Sequence, residues 1–493
     1  MAKTLMIQGT SSHCGKTLVV AILCRIFSDM GFSVAPFKSQ NMALNSYVTK
    51  DGFEIARSQA FQAFAARCDL KKEMNPILLK PKGDRVSQIV LNGKPFRDLE
   101  ASEYYEEFAL RDGLKAVKKA FEELKKKYEI IIIEGAGSPA EINLYDEEIA
   151  NMKTAEITNS SVILLGDIDK GGVFASLYGT FMLLKKRDRK RLKGFLINKF
   201  RGEPSILEPG LGELENLTGV KVLGVLPYVL NLRVPQEDSL GLEDEVRGGS
   251  EIEIEVVKLP RISNFTDFDA LKTEGVSLKF VEKIGDPDAL IIPGTKNTIK
   301  DLLWLRERRL DREIKRLSKI IPIIGICGGY QMLGGVIYDP NHIESEEGSV
   351  KGLGLLDLET EFLSYEKVCE RVDAKVISCE EFFSGLKNTH IKGYEIHMGK
   401  TRLKGKPLFK IGEREEGMIS ERVFGTYLHG LFDNPLLRDS FLNYLRKKKG
   451  IKKKRENKKI EDEWNQSLDR LSEIFLQNAD FEKIFEIMGF KDD

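Results

Sequence analysis

The feature that most constrains the fold is an apolar run that ends abruptly on a cysteine and two glycines. Residues 320–326 (IIPIIGI) predict a buried strand of a parallel sheet. Cys327, Gly328 and Gly329 follow directly, and a new apolar period after them predicts a helix. A cysteine on such a turn is typical of a nucleophile elbow with sulfur in place of a serine oxygen. The alternative interpretation is a buried structural cysteine beside a glycine-rich turn.

The chemistry of this turn suits acyl transfer. A helix N-terminus beside Cys327 favours the thiolate, and the glycines leave backbone N–H groups free to hold an oxyanion. We expect one oxyanion-hole N–H from Gly328. A Pro–Gly turn after the apolar residues 289–292 offers a second, from Gly294.

Size and composition limit the class of protein. A chain of 493 residues predicts two or three domains. Lys+Arg and Asp+Glu are 76 each, so no overall charge indicates a nucleic-acid partner. The six cysteines lack metal-binding spacing, which predicts reduced thiols in the cytoplasm and no zinc site. No apolar run is long enough for a signal peptide or membrane span, and oligomeric state is not indicated.

The N-terminus predicts a phosphate-binding loop. An apolar strand at residues 5–8 precedes a glycine-containing loop, Lys16–Thr17 and an apolar helix. Lys16 would neutralise a transferring phosphate of ATP, and the Thr17 hydroxyl would bind Mg²⁺. The loop resembles the variant loop of dethiobiotin synthetase and its relatives, which use ATP to activate carboxylates. The predicted ATP-binding residues of the loop are Gly9, Thr10, Ser12, Gly15, Lys16 and Thr17.

Acidic and amide residues follow other predicted strands. Glu134 ends the apolar run 130–133, and by the same relationship to dethiobiotin synthetase we expect it to be the second Mg²⁺ anchor. Asp167 and Asp169 follow residues 161–165, and the sequence does not show which of them faces the site. Asn198 follows residues 194–197 and is our candidate for holding the adenine, as an asparagine often does in P-loop relatives.

A polar stretch after the second predicted strand suits a polar substrate. It is rich in amides, and the helix after it carries an arginine and glutamines that would reach the same site. The alternative is an ordinary polar loop. The predicted substrate-binding residues are Lys38, Gln40, Asn41, Asn45, Arg57 and Gln59.

Strands that alternate with helices, with polar groups at the carboxyl ends of the strands, predict a doubly wound parallel sheet. Breaks at residues 235–239 and 247–250 place a domain boundary near residue 250. We therefore expect an ATP-dependent domain at 1–250, an amidotransferase-like α/β domain at 251–446, and a basic segment with a helical tail at 447–493. With zero net charge, the basic run is interpreted as a solvated face.

Several blocks in order resemble the cobyric acid synthase family, the glutamine-dependent amidotransferases of corrinoid biosynthesis. They are PFKSQNMALNS (36–46), EIARSQAFQAFAA (54–66), MNPILLKP (74–81) and SQIVLNGKP (87–95), and the resemblance continues along nearly the whole chain. It implies a P-loop domain followed by a class I-like, triad-type glutamine amidotransferase domain. The implied substrates are glutamine, ATP and adenosylcobyrinic acid a,c-diamide, amidated at its b, d, e and g carboxylates.

Cys327 needs a base, and two histidines have patterned surroundings, His397 and His429. Resemblance to triad-type amidotransferases selects His429. Those enzymes usually carry a glutamate two residues after the histidine, where this chain has Leu431. The group that orients His429 is therefore open, with Asp433 or a backbone carbonyl as candidates, and His397 is interpreted as structural or substrate-facing.

The two predicted activities belong together chemically. Ammonia released from glutamine at Cys327 would displace phosphate from an acyl phosphate made with ATP, and it must arrive before water does, so we expect an enclosed passage. The alternatives are a cobyrinic acid a,c-diamide synthase and a P-loop switch ATPase with a degenerate amidotransferase domain.

Overall fold

The structure is a computed structural model, and it describes residues 2–83, 85–230, 232–235, 250–378, 380–455 and 457–490. Residues 236–249, where we predict the end of the first domain, lie outside the described residues. Among the described residues, no helix combines the length and the apolar character needed to cross a membrane.

The N-terminal half alternates strands with helices. Its strands are β1 (Lys3–Gly9), β2 (Val34–Phe37), β3 (Gln40–Met42), β4 (Ser46–Val48), β5 (Glu54–Ala56), β6 (Ile77–Pro81), β7 (Val86–Leu91), β8 (Lys94–Glu100), β9 (Ile130–Glu134), β10 (Ser161–Asp167), β11 (Leu192–Phe200) and β12 (Lys221–Pro227). Its helices are α1 (Lys16–Asp29), α2 (Arg57–Ala65), α3 (Ala101–Glu103), α4 (Leu114–Lys125), α5 (Met152–Thr158), α6 (Val173–Leu183), α7 (Lys186–Arg189) and α8 (Glu208–Thr218). A π-helix, Tyr104–Gly113, joins α3 to α4.

A parallel sheet with the order β12-β11-β10-β1-β9-β2 forms the core of this half, which confirms the predicted doubly wound sheet. Its central strands are apolar because helices cover both faces; every residue of β9 is fully buried. From β1 the chain crosses to β2 on one side and later to β10 on the other. The loop after β1 therefore lies at a topological switch point, where such sheets bind ligands.

A second, smaller sheet lies beside the first, with the order β3-β6-β7-β8, and β4 pairs with β5 as a hairpin. The polar stretch at residues 39–46, for which an ordinary loop was the alternative interpretation, forms β3 and the start of β4. These strands are only three residues long, too short for an alternating pattern to be recognised.

The C-terminal half is a mixed α/β domain. Its strands are β13 (Ile252–Val257), β14 (Ile262–Ser263), β15 (Val276–Val281), β16 (Ala289–Ile292), β17 (Gly294–Thr295), β18 (Ile323–Ile326), β19 (Val336–Tyr338), β20 (Ser349–Lys351), β21 (Leu358–Glu361), β22 (Val368–Val376), β23 (His390–His397), β24 (Lys400–Leu403), β25 (Pro407–Ile411), β26 (Arg414–Ser420) and β27 (Val423–Thr426). Its helices are α9 (Thr298–Glu307), α10 (Leu310–Leu317), α11 (Gly328–Leu333) and α12 (Pro435–Lys448).

The main sheet of this half has the order β15-β13-β16-β18-β27-β26-β25-β22-β23. The first five strands are parallel and the remaining pairings are antiparallel. Because β16, β18 and β27 are adjacent and parallel, the segments that leave their carboxyl ends meet at one edge. Those segments carry Gly294, Cys327 and His429.

The last two helices, α13 (Ile460–Asn478) and α14 (Phe481–Ile487), return to the N-terminal half. Leu468, Leu471 and Phe475 of α13 belong to the same hydrophobic core as residues of α1. Trp464 packs edge-on against Phe61 at 5.7 Å between ring centroids. The tail that we predict as a separate segment is therefore packed against the nucleotide-binding half.

Candidate active sites

Cys327 lies on a sharp turn between β18 and α11. Its backbone angles, φ 51° and ψ −107°, are unusual for a residue with a side chain, and such strain is a recurrent feature of catalytic turns. A Cβ on Gly329 would lie 1.9 Å from the Ile292 carbonyl oxygen, so only glycine fits directly behind the thiol. The side chain is nearly buried and donates to the carbonyl oxygen of Ile396 at 3.5 Å.

The two predicted oxyanion-hole glycines are brought to this turn. A Cβ on Gly328 would lie 2.7 Å from the Thr295 side chain, and a Cβ on Gly294 would lie 3.6 Å from Cε1 of His429. Gly294 and Thr295 form β17, which follows β16 next to β18. The turn after β16 therefore adjoins both Cys327 and the catalytic-base candidate, as an oxyanion hole requires.

His429 follows β27 and is held by an acid that the sequence prediction missed. Its Nδ1 lies 2.6 Å from Oδ2 of Asp267, and the Gly430 N–H donates to Oδ1 of the same carboxylate at 3.1 Å. Burial alone would lower the pKa of the imidazole, but the Asp267 carboxylate and the Cys327 side chain outweigh it and raise the pKa of His429 to about 10.

Asp267 replaces the candidates left open by the sequence. Neither Asp433 nor a backbone carbonyl orients the imidazole; Asp267 does, from the 3₁₀ helix Phe265–Leu271, which lies 162 residues earlier in the chain. The available signal was Leu431, whose presence in place of the usual glutamate required an acid from elsewhere. Burial is the main reason that the pKa of Asp433 is raised to about 7.

His397 follows Ile396, whose carbonyl oxygen accepts from the Cys327 thiol. Its Nδ1 bonds to the Gly399 carbonyl oxygen at 2.8 Å, and its ring stacks on Tyr427 with centroids 3.6 Å apart. Its buried Nε2 makes no hydrogen bond within the described part of the chain but lies 3.8 Å from the buried Glu395 carboxylate. These contacts hold the imidazole between Tyr427 and Glu395.

The loop that connects β1 to α1 carries the residues that we predict to bind phosphate. Lys16 is buried and donates to the carbonyl oxygens of Ser11 at 2.8 Å and Gly137 at 3.0 Å. Gly15 has φ 104°, and a Cβ there would lie 2.2 Å from Nδ2 of Asn198. Ser12 is exposed at the loop tip, whereas Gly9 is buried and Thr10 half-buried where the loop leaves the sheet.

Glu134, at the end of β9, is the centre of a polar cluster. Its Oε1 accepts from the Thr17 hydroxyl and from the Lys38 ammonium, each at 2.8 Å, and its Oε2 accepts from Gln62 at 2.6 Å. Hydroxyl and carboxylate oxygens are the ligands that Mg²⁺ prefers, so Thr17 and Glu134 fit the predicted metal site. A bound cation would share Glu134 with the Lys38 ammonium.

The predicted substrate residues divide into two groups. Lys38, Asn41 and Gln59 lie around Glu134: the Asn41 amide donates to Gln59 at 3.0 Å, and Gln59 donates to Glu134 at 3.5 Å. Gln40 is near them and accepts from the Tyr104 hydroxyl.

Asn45 and Arg57 instead face the C-terminal half. Asn45 accepts from the Phe265 N–H at 3.0 Å, and the Arg57 guanidinium lies over the Tyr47 and Trp464 rings at 4.7 and 5.2 Å. Arg57 and Gln59 are two residues apart in a helix, so they project from nearly opposite faces.

A cavity of about 190 Å³ opens beside the phosphate-binding loop and is mainly apolar. Asn198 lies at its inner end, donating to the Cys14 carbonyl oxygen at 2.9 Å. Asp167 accepts from Lys199, which lines the cavity, at 2.7 Å, whereas Asp169 pairs with Arg201 in a more exposed position. The outer wall is α13, through Leu471, Ile474 and Phe475. No pattern in the sequence indicates that the tail reaches this cavity.

Comparison with known proteins finds two family models along this chain. Residues 5–240 match the model of the CobQ/CobB/MinD/ParA nucleotide binding domain, and residues 253–436 match that of the CobB/CobQ-like glutamine amidotransferase domain.

Three full-length relatives are named for one function. The chain is 48% identical to the cobyric acid synthase of Desulforamulus reducens over 99% of this chain and 98% of the relative. It is 50% identical to that of Clostridium botulinum over the whole of both chains, and 49% identical to a probable cobyric acid synthase of Methanosarcina acetivorans over 99% of both.

Proposed function

This chain belongs to the cobyric acid synthase family, and from that premise we propose that it uses ATP and glutamine to amidate the b, d, e and g carboxylates of adenosylcobyrinic acid a,c-diamide. The observation that carries the proposal is the arrangement of Cys327, His429 and Asp267 in a chain that also holds a phosphate-binding loop. One half supplies ammonia and the other activates the carboxylate that ammonia attacks.

In the amidotransferase half, the Cys327 thiolate attacks the side-chain amide carbon of glutamine. The N–H groups of Gly294 and Gly328 stabilise the oxyanion, and His429 gives its proton to the departing ammonia, leaving a γ-glutamyl thioester. His429 then takes a proton from water, which attacks the thioester and releases glutamate. Asp267 keeps the proton on Nδ1, so that Nε2 faces the reacting groups.

In the nucleotide-binding half, a carboxylate oxygen of the corrinoid attacks the γ-phosphorus of ATP and ADP leaves. The loop N–H groups and Lys16 bind the phosphates, while Asn198 holds the adenine in the cavity walled by α13. Mg²⁺ held by Thr17 and Glu134 would neutralise phosphate charge. Phosphate is a good leaving group from the acyl phosphate, so ammonia attacks the acyl carbon, displaces phosphate and forms the amide. Lys38, Gln40, Asn41 and Gln59 are our candidates for positioning the carboxylate.

The alternatives fit less well. A switch ATPase with a degenerate amidotransferase domain would have no need for a thiol, an imidazole and a carboxylate arranged as Cys327, His429 and Asp267 are. A cobyrinic acid a,c-diamide synthase would share both halves, but the full-length relatives reported above carry the other name.

The test is mass spectrometry of adenosylcobyrinic acid a,c-diamide after incubation with the protein, ATP, Mg²⁺ and glutamine. We expect a product that gains four amides, and we expect Cys327→Ala to lose this product with glutamine but to form it with ammonium chloride. An unchanged corrinoid with either nitrogen source would overturn the proposed substrate, and cobyrinic acid would be the next compound to test.

A further inference from the structure

We propose that Asn264 and Tyr394 are positioning residues for the His429 imidazole, and that the backbone of Ser46, in the nucleotide-binding half, fixes both of them. This rests on the proposed function only in that His429 serves a glutaminase. It adds a requirement that neither the motif nor the triad-type chemistry contains: the base of one active site is held through a segment of the other half.

Asn264 contacts the imidazole through its amide nitrogen. Nδ2 lies 3.3 Å from Nδ1 and 3.4 Å from Nε2 of His429. A point in the ring plane so close to equidistant from both nitrogens would overlap Cε1, so the amide lies over the face of the ring. An N–H directed at an aromatic face is a weak attraction, and here it limits rotation of the ring away from the Asp267 carboxylate.

Tyr394 contacts the same imidazole in a different way. Its ring is stacked with that of His429 at 5.2 Å between centroids and 18° between planes, and the two residues exchange backbone hydrogen bonds of 2.9 and 3.2 Å. Its hydroxyl also lies 3.5 Å from Oδ1 of Asp267. Tyr394 therefore touches both members of the imidazole–carboxylate pair.

Both residues are tied to the two backbone groups of Ser46. The Ser46 N–H donates to Oδ1 of Asn264 at 2.8 Å, and the Tyr394 hydroxyl donates to the Ser46 carbonyl oxygen at 3.2 Å. All of these groups are buried. A shift of Ser46 would therefore move or release both contacts with the imidazole at once.

Ser46 is itself held firmly from its own half. Its hydroxyl donates to Glu54 at 2.8 Å and accepts from Lys80 at 2.8 Å. Glu54 also pairs with Lys80 at 2.6 Å and with Lys367 of the C-terminal half at 2.5 Å, and all three side chains are buried. Breaking such a buried network is costly, so the position of Ser46 is well defined.

The segment that carries Ser46 also reaches the nucleotide site. Asn41, five residues earlier, donates to Gln59, which donates to Glu134 beside the phosphate-binding loop. The contacts that hold His429 therefore lie a few residues from those that would respond to ATP. We infer that glutamine hydrolysis is efficient only when the nucleotide-binding half presents Ser46 correctly, which would limit ammonia release without an activated carboxylate.

The first test is Tyr394→Phe, which removes the hydroxyl and keeps the ring on His429. We expect kcat for glutamate release to fall about ten-fold, with KM for glutamine and ammonia-dependent corrinoid amidation unchanged. Tyr338→Phe, in β19 of the same half, is the matched control. An unchanged kcat would overturn the proposal, and so would equal loss of glutamine- and ammonia-dependent activity, which would indicate a general effect on folding.

The second test uses Asn264, whose φ of 52° is left-handed, so that Asn264→Gly removes the side chain without adding backbone strain. We expect kcat for glutamate release to fall at least ten-fold. Asn264→Asp keeps an acceptor for the Ser46 N–H but loses the amide over the ring, and we expect an intermediate loss. In wild type, ATP and corrinoid should stimulate glutamate release; persistence of that stimulation in Asn264→Gly would contradict the inference.

The outcomes also separate this inference from the proposed function. If the wild-type protein releases glutamate but amidates no corrinoid with ammonium chloride, the proposed substrate fails. The positioning roles are still decided by kcat for glutamate release in the variants.

Discussion

Replacing Asp267 by asparagine isolates the part that the carboxylate plays in glutamine hydrolysis. Oδ1 of Asp267 accepts from the Gly430 N–H, and the Tyr394 hydroxyl lies near it, so an asparagine would keep its carbonyl oxygen there. Its NH₂ group would then face Nδ1 of His429, where Oδ2 now lies at 2.6 Å. The donor forces Nδ1 to accept, and the proton moves to Nε2, which can then no longer take the thiol proton.

The size of the effect follows from the same geometry. The wrong tautomer in a comparable triad costs about 10⁴ in kcat, so we expect kcat for glutamate release to fall by about 10³ to 10⁴. At about 1.4 kcal/mol per factor of ten, this corresponds to roughly 4 to 5.5 kcal/mol of barrier. The pKa of His429 also changes, because burial, which lowers it, would no longer be offset by the carboxylate.

The pH profile separates the loss of charge from a loss of folding. The folded-state pKa of His429 is raised from an ordinary value of 6.5 to about 10, so the wild-type imidazolium persists until the pH rises through about 10. The stability that this imidazolium contributes to the fold is fully present below about pH 6.5 and is lost as the pH rises through about 10. Wild-type glutamate release should therefore show no loss from imidazole deprotonation between pH 7 and 9, whereas in Asp267→Asn the neutral ring should already predominate at pH 7.

The assay is glutamate release from glutamine, measured beside ammonia-dependent amidation. Asp269→Asn is the matched control, because Asp269 lies on the same 3₁₀ helix and pairs with Lys272 at 3.0 Å instead of with His429. We expect the control to keep its glutaminase activity. An Asp267→Asn protein that retains kcat within ten-fold of wild type would refute the assignment of Asp267 as the orienting acid.

Three further predictions concern the nucleotide-binding half. Glu54→Gln leaves two buried lysines without their carboxylate and should lower the free energy of unfolding in urea by about 3 to 5 kcal/mol. Because those lysines lower the pKa of Glu54, its contribution in wild type is present above its ordinary pKa and is lost only as the pH falls far below it. Glu134→Gln should reduce ATP-dependent amidation at least 100-fold and leave glutamate release intact, measured by both assays on one sample. Ile474→Trp should fill the cavity beside the phosphate-binding loop and raise KM for ATP about ten-fold, whereas Leu476→Trp, on the exposed face of the same helix, should not.

The parallel sheets could be predicted because their strands are strongly apolar and end in glycines or acids. Residues 130–133 lie in the buried strand β9. Of the predicted strand 320–326, only Ile323–Ile326 forms the buried strand β18, and Ile320 is exposed in the turn before it. The small sheet could not, because Gln40–Met42 is a three-residue strand of mainly polar character. Its pairing with β6 brings together segments that are more than 30 residues apart, and no local sequence pattern predicts such a pairing.

The candidate sites show the same limit. Cys327, Lys16 and Thr17 were predictable because the turn that positions each one is continuous in sequence. Asp267 was not, because it reaches His429 across 162 residues. The division between Arg57 and Gln59 was predictable in principle, since a helix of 3.6 residues per turn directs residues two apart to nearly opposite sides. Treating both as ligands of one site neglected that geometry.

The position of α2 explains why these opposite faces matter. One face presents Gln59 and Gln62 to Glu134, and the other presents Arg57 to aromatic rings that extend through Tyr47 and Tyr394 to His429. A helix transmits displacement between its faces with little loss, because its backbone hydrogen bonds resist deformation. Ammonia is useful only while an acyl phosphate is present, since water competes for the same carbonyl carbon. Helix α2 and the neighbouring Asn41–Ser46 segment contact both sites. Their packing can therefore couple glutamine hydrolysis to activation of the carboxylate.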